Sequence, residues 1–160
     1  MPPYKVFISY AHEDRPLLND LVAHLSILQN RKLISAWKDT DISPGTEWKK
    51  QIIDSLNGAQ IILLLISADF MNSEFCYSIE MKRAIQRHKA DEARVIPILL
   101  RPVYWKGAPF EILDVLPVDA KKRPKPIVSW SIRDDGYLNV VEGIASAIEE
   151  LKKKGVAQNP

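Results

Sequence analysis

The fold is decided by residues 60–67, which have the sequence QIILLLIS and form the most apolar run of the chain. A continuous apolar run bounded by polar residues is typical of a strand that helices cover on both faces. We therefore predict that residues 60–67 form the central strand of a parallel sheet.

Strands and helices are predicted to alternate on either side of this run. Short segments rich in β-branched and aromatic residues predict further strands at residues 4–9, 33–37, 94–100 and 127–130. Between them, apolar side chains recur at helical spacing, as Leu17, Leu21 and Leu25 do. This periodicity predicts helices at residues 15–29, 48–56, 69–88 and 137–151.

The alternation of strands and helices predicts an α/β domain with right-handed crossovers. We expect a flavodoxin-like three-layer sandwich with a five-stranded parallel sheet in the order 2-1-3-4-5. In that order a crevice opens at the carboxyl ends of strands one and three, beside the loops at residues 10–14, 38–45 and 69–76. The domain is predicted to span residues 1–154, with a polar tail or linker at residues 155–160.

Composition excludes several classes of function. The 22 basic and 20 acidic residues leave a net charge of +2, which argues against a surface devoted to nucleic acid. Cys76 is the only cysteine and the three histidines are scattered, so no metal site is expected. The chain begins without a secretory pattern, and its apolar runs are too short to span a membrane, so a cytoplasmic location is expected.

The loops lack two patterns that are typical of enzymes. No glycine-rich phosphate loop and no Gly-x-Ser-x-Gly elbow occur. A phosphorylatable receiver domain would use acidic residues after strands one and three, where Asp14 and Asp69 stand. It would also need a lysine after the last predicted strand, where this chain has Ser129 and Trp130.

Four segments in order resemble the Toll/interleukin-1 receptor (TIR) domain, in its bacterial form. Residues 6–10, VFISY, are similar to the first strand of the family, and residues 37–48, WKDTDISPGTEW, resemble its second strand end and BB loop. Residues 62–67 and 75–80, ILLLIS and FCYSIE, are similar to its central strand and third helix. The resemblance covers about residues 4–130 and implies a TIR fold.

The resemblance implies two classes of function. Many TIR domains are similar to NAD glycohydrolases, which split NAD at the nicotinamide–ribose bond and so use NAD as substrate without a further cofactor. We expect this activity here, giving ADP-ribose or a cyclic isomer in immune or stress signalling, with antiphage defence as one setting. The alternative is a non-catalytic adaptor that assembles signalling complexes, and a nucleoside-processing transferase is a third possibility. A fused or partner sensor domain is also expected.

Glu80 is the candidate catalytic residue. Nicotinamide leaves NAD as a neutral base, so the reaction needs no general acid, only negative charge beside the ribose as a cation develops. The resemblance implies that Glu80, on the predicted third helix, supplies that charge, with Cys76 where the family often has tryptophan. A solvated glutamate that pairs weakly with Arg83 would be the structural alternative.

The resemblance also implies a set of contacts around the substrate and between copies. The substrate-binding candidates are Ser9, Tyr10, Ala11, Trp37, Asp39, Trp48, Ser67 and Cys76, and the self-association candidates are Ile42, Ser43, Pro44 and Gly45. Copies of the domain would join head to tail through this loop, which can extend into filaments. Core packing would equally explain Trp48, an Asx turn would explain Asp39, and the loop tip could be an ordinary exposed turn.

Overall fold

A parallel four-stranded sheet forms the centre of the domain. The computed structural model describes residues 3–156. The strands are β1 (Val6–Tyr10), β2 (Lys38–Asp41), β3 (Ile61–Ile66) and β4 (Arg94–Leu99), in the order β2-β1-β3-β4. All three neighbouring pairs are parallel, and every residue of β3 is buried. The predicted α/β class and the central position of residues 61–66 are therefore confirmed.

Helices cover both faces of this sheet. They are α1 (Arg15–Asn30), α2 (Trp48–Gly58), α3 (Ala68–Met71), α4 (Ile79–Lys89) and α5 (Arg133–Lys153). Side chains of α1 and α5 pack with alternate residues of β1 and β3 in one apolar cluster. Side chains of α2, α3 and α4 pack against the opposite sheet face in a second cluster. Among residues 3–156, no helix is both long and apolar enough to cross a membrane.

The second strand lies further along the chain than predicted. Residues 33–37 contribute only an isolated bridge between Tyr4 and Ile34, whereas the ladder with β1 begins where Phe7 faces Lys38. This strand lies at the edge of the sheet and has the sequence KDTD, in which only Thr40 is buried. Strands were predicted from apolar residues, and this polar edge strand has none. The second strand was therefore predicted at the more apolar residues 33–37 that precede it.

The predicted fifth strand is wrong, because residues 127–130 do not pair as a strand. Ile127–Ser129 form a 3₁₀ turn that leads into α5. β4 is therefore the edge strand. Each of its positions whose backbone points away from β3 either has its N–H bonded within the domain or is a proline without an N–H. The N–H of Val95 donates to Nδ1 of His88 at 3.0 Å, Pro97 has no N–H, and the N–H of Leu99 donates to the carbonyl of Leu116 at 2.7 Å.

The third helical region is broken where a continuous helix over residues 69–88 was predicted. The short helix α3 is followed by a 3₁₀ turn at Phe75–Tyr77, and α4 begins only at Ile79. Ser67 and Ser78 cap the two helices, since their hydroxyls accept the N–H of Phe70 at 3.2 Å and of Met81 at 3.1 Å. Two serine caps so close together start two separate helices, and Cys76 therefore does not share a helix with Glu80.

Candidate functional site

The loops at the carboxyl ends of the strands are tied together by hydrogen bonds. The N–H of His12, after β1, donates to the Ser43 hydroxyl at 2.8 Å, and Nδ1 of His12 lies 3.3 Å from Asp41. The predicted loops 10–14 and 38–45 thus meet at one edge of the sheet. Asp41 also accepts the N–H of Ser43 at 2.9 Å, which shapes the turn that follows β2.

An ion-pair network around the buried Asp14 joins the loops that follow β1, β3 and β4. Asp14 is 1% exposed, accepts a hydrogen bond from the Ser67 hydroxyl, and lies 2.9 Å from Nε of Arg101. A second guanidinium nitrogen of Arg101 donates to Asp69 at 2.6 Å. Burial alone would lower the pKa of Arg101, but its hydrogen bonds to the two carboxylates raise that pKa above its ordinary value.

Sequence reasoning missed this network and the central role of Arg101 in it. One signal was present: acidic residues follow strands one and three, and an arginine directly follows the apolar run of strand four. Because parallel strands bring their carboxyl ends to one edge of the sheet, these residues are expected to lie close together. The network fixes the positions of the loops that carry several predicted site residues, among them Ser67.

A cavity beside these loops lies between the turn after β2 and the segment after α3. We call it the loop cavity: it has a volume of about 390 Å³. It is lined by Ile42, Pro44, Gly45, Thr46, Glu47, Trp48, Lys49, Lys50, Asn72 and Glu74. Small-molecule sites span roughly 300–1,000 Å³, so the loop cavity lies near the lower end of that range.

Glu80 lies in a separate, smaller hollow between α2 and α4. The Glu80 hollow has a volume of about 220 Å³ and is lined by Ile53, Leu56, Asn57, Ile79, Glu80 and Arg83. Glu80 is half-buried and stands in the first turn of α4. Acidic side chains stabilise a helix in its first turn, because the unpaired backbone N–H groups there carry a partial positive charge.

The two hollows lie along the same helix. Trp48 at the start of α2 lines the loop cavity, and Leu56, roughly 12 Å further along the helix axis, lines the Glu80 hollow. Glu74, which was not a predicted site residue, is the acidic residue of the α3–α4 segment that reaches the loop cavity. Its carboxylate is exposed and lies 3.9 Å from Lys49.

The predicted substrate-binding residues are divided between the two faces of the sheet. Tyr10 and Trp37 pack with the α1–α5 cluster, whereas Trp48 and Cys76 belong to the α2–α4 cluster. Tyr10 is buried, its hydroxyl bonds to Arg15, and the Arg15 guanidinium lies 5.1 Å from the ring centre. A single copy of the chain therefore does not gather these four side chains around one cavity.

The remaining candidates have local roles in the structure. Ala11 is buried, Asp39 is exposed on β2, and Ser67 caps α3. Burial raises the pKa of the Cys76 thiol to about 11, so this side chain stays protonated at neutral pH. Among residues 3–156 no cluster of histidine, cysteine and acidic side chains could hold a metal ion.

The loop tip predicted to mediate self-association is only partly exposed. Ile42 is buried against Trp48 in the α2–α4 cluster, while Pro44 and Gly45 are exposed at the tip. Gly45 has a φ of +84°, a left-handed conformation that other residues adopt only with strain. The Ser43 hydroxyl is engaged by the N–H of His12.

These features define a class: a three-layer α/β domain with a parallel sheet, a cavity beside its carboxyl edge and a second hollow further along α2. The family model described as the TIR domain matches residues 6–129, so the chain belongs to the TIR domain family. The uncharacterized protein y4lF of Sinorhizobium fredii is 43% identical over 152 residues, which cover 95% of this chain and 46% of that protein. The chain thus spans less than half the length of that relative.

A solved TIR domain also resembles this chain. It is the crystal structure of the TIR domain of the Toll-related receptor TRR-2 from Hydra magnipapillata, which is 28% identical. The superposition covers 63% of this chain and 74% of that one, with a TM-score of 0.38.

Proposed function

We propose that this TIR domain cleaves NAD at the nicotinamide–ribose bond and that Glu80 supplies the charge for the reaction. The observation that carries the proposal is the position of Glu80: a half-buried carboxylate in a hollow walled by Ile53, Leu56 and Ile79. Ile53 and Ile79 are more than half exposed in one copy, so a neighbouring copy that covers them would exclude water and strengthen the interaction of Glu80 with a nearby cation.

The reaction needs this one charge more than any proton transfer. As the bond from ribose C1′ to the nicotinamide nitrogen breaks, the bonding electrons return to the pyridinium ring, and nicotinamide leaves as a neutral base. Positive charge then develops on the ribose, where Glu80 stabilises it. Water attack on C1′ gives ADP-ribose, and attack by another nucleophile of the same nucleotide gives a cyclic isomer.

Assembly of copies is part of the proposal. The Glu80 hollow, at about 220 Å³, is smaller than small-molecule sites usually are, and it lies apart from the loop cavity. A neighbouring copy seated over the hollow would enclose the substrate and exclude water. The activity is therefore expected to rise steeply with protein concentration.

A non-catalytic adaptor is the second candidate. The rim of the Glu80 hollow favours it, because Ile53 and Ile79 are large apolar side chains that are more than half exposed. A cluster of this kind is typical of a protein–protein contact. An adaptor would use the same surface for assembly and would not need the carboxylate of Glu80.

The deciding experiment is incubation of the protein with NAD over a range of protein concentrations, with chromatography of the products. We expect nicotinamide and ADP-ribose, or a cyclic isomer, in amounts that increase more than linearly with protein. Glu80→Ala is compared at the highest concentration. Assembly without any nicotinamide release, checked by light scattering on the same samples, would favour the adaptor.

A further inference from the structure

The Glu80 hollow contains a positive side chain as well as a negative one. Arg83 lines the hollow together with Glu80, and the two residues stand three positions apart on α4. Side chains three positions apart on a helix lie on the same face, with their Cβ atoms about 5–6 Å apart. A ligand in the hollow would therefore meet a carboxylate and, further along α4, a guanidinium.

The guanidinium of Arg83 has no carboxylate partner in the fold. Among residues 3–156 it forms no ion pair, whereas Arg87, one turn further along α4, pairs with Glu92 at 3.6 Å. Arg87 is also buried and donates to the carbonyls of Leu56 and Ala59 at 2.7 Å. Burial lowers the pKa of Arg87, and repulsion from Arg83 lowers that pKa further, although Glu92 acts in the opposite direction.

This arrangement leaves one positive charge available to a ligand. Arg87 is fixed by its two carbonyl acceptors and Glu92, so its charge cannot move away from Arg83. An anion held by Arg83 would offset the repulsion between the two guanidinium groups. Because Glu80 lies on the same wall of the hollow, such an anion would belong to the ligand that Glu80 contacts.

We propose that Arg83 binds the 5′-phosphate of the substrate, so that the Glu80 hollow prefers nicotinamide ribosides that carry a 5′-phosphate to the free riboside. This inference rests on the proposed function, which assigns the ribose to Glu80. The phosphate is joined through C5′ to the ribose whose C1′ bears the nicotinamide, so the two side chains meet two ends of one sugar. A guanidinium suits this role, because its planar fork of N–H donors matches phosphate oxygens.

The exposure of Arg83 limits the size of the effect. Its side chain is exposed in a single copy, so water and salt screen its contact with a phosphate. We expect a preference of about tenfold, the effect of one charge-assisted hydrogen bond. The preference should shrink as the ionic strength is raised.

The first test compares the cleavage of nicotinamide mononucleotide with that of nicotinamide riboside, which lacks only the phosphate. In wild type the ratio of the two kcat/KM values is expected to be about ten, and in Arg83→Gln it is expected to fall toward one. Arg83→Lys keeps the charge without the planar fork and should lie between them. Lys82→Gln is the matched control, because Lys82 is exposed on α4 and does not line the hollow.

The second test measures binding and needs no catalysis. The affinity for ADP-ribose, followed by ligand-observed NMR on concentrated protein, is expected to fall about tenfold in Arg83→Gln and to stay unchanged in Lys82→Gln. Both residues are exposed, so both variants should melt close to wild type. A loss of ADP-ribose affinity in Arg83→Gln then reports a lost contact rather than a damaged fold.

The outcomes separate this inference from the proposed function. NAD cleavage in which Arg83→Gln keeps both the substrate ratio and the ADP-ribose affinity overturns the phosphate contact and leaves the activity standing. ADP-ribose binding that weakens in Arg83→Gln, without NAD cleavage by wild type, supports the phosphate contact and removes the activity. A wild type that prefers the free riboside overturns the phosphate contact, and one that neither cleaves NAD nor binds ADP-ribose overturns both proposals.

Discussion

The carboxyl edge of the sheet and the outer edge of β4 treat their polar groups in opposite ways. At the carboxyl edge, Arg101 is shared between two carboxylates, and the buried hydroxyls of Ser9 and Thr40 have no hydrogen-bond partner within residues 3–156. At the outer edge of β4, the donors of Val95 and Leu99 are both bonded and Pro97 has none. The carboxyl edge thus combines shared and unbonded polar groups, whereas the outer edge leaves no strand donors free for pairing.

The largest expected effect tests whether Glu80, in the hollow away from the carboxyl edge, is catalytic. Glu80→Gln keeps the size of the side chain and removes its charge, so NAD turnover should fall on the order of 10²–10³-fold. Glu142→Gln on α5 is the matched control, because Glu142 is exposed and lines neither hollow. Equal losses in both variants would contradict the assignment of the charge to Glu80. Initial rates at saturating NAD are the measurement.

The next effect tests the ion-pair network that holds the loops. Arg101→Met leaves the buried Asp14 carboxylate without its guanidinium partner, which should cost about 3 kcal/mol of unfolding free energy. Urea unfolding measures the change. Adding Asp14→Asn to the same variant should recover part of the loss, because the uncompensated charge is then gone. If the unfolding free energy fell by only about 0.3 kcal/mol, the network would not contribute to the stability of the fold.

A smaller effect tests the exposed apolar rim of the Glu80 hollow as an assembly surface. Ile79 is 79% exposed, so Ile79→Lys should leave monomer stability within about 0.5 kcal/mol of wild type. Self-association, measured by sedimentation velocity, should weaken by roughly tenfold, since a charge would be buried at the contact. Leu138→Lys on α5, where the side chain is also exposed, should leave self-association unchanged.

The smallest effect concerns the outer edge of β4 and the pH dependence of stability. Burial, followed by the charge of Arg94, lowers the pKa of His88, and Arg94, Asp91, Lys154 and Asp114 are the charged groups that act on it. The unfolded chain therefore binds a proton more readily, and stability should fall as pH drops below about 6.5 toward the folded pKa.

His88→Asn is the variant that isolates this effect. Its side-chain oxygen can still accept the Val95 N–H, but the side chain cannot take up a proton. Thermal unfolding at pH 7 and pH 5 should differ less in His88→Asn than in wild type. If both proteins showed the same pH dependence of stability, titratable groups other than His88 would be responsible for it.

Much of the fold could be predicted because hydrophobic periodicity is a local property of the chain. The apolar run at residues 60–67 and the leucines of α1 correctly predicted a buried strand and a covering helix. The polar strand β2 was not predicted, because its stability comes from pairing with β1 rather than from its own side chains. Pro97 was the overlooked sign that β4 is an edge strand, because proline cannot donate to a neighbouring strand.

The candidate site was predictable only in outline. The order of the strands placed the loops after β1, β2 and β3 at one edge, as the bonds of His12 and Asp14 show. The division of Tyr10 and Trp48 between opposite sheet faces was not foreseen, although alternation along β1 determines which way Tyr10 points. The separation of Glu80 from the loop cavity depends on the break before α4.

The sequence alone determined the TIR family, the alternation of strands and helices, and the position of the central strand, because these depend on residue type and spacing. The tertiary structure decided which polar groups meet: Arg101 with Asp14, Ser9 beside Thr40, and Glu80 between α2 and α4. The physical reason is that such contacts join residues far apart in the chain, and their distances follow from the packing of helices on the sheet rather than from any local pattern.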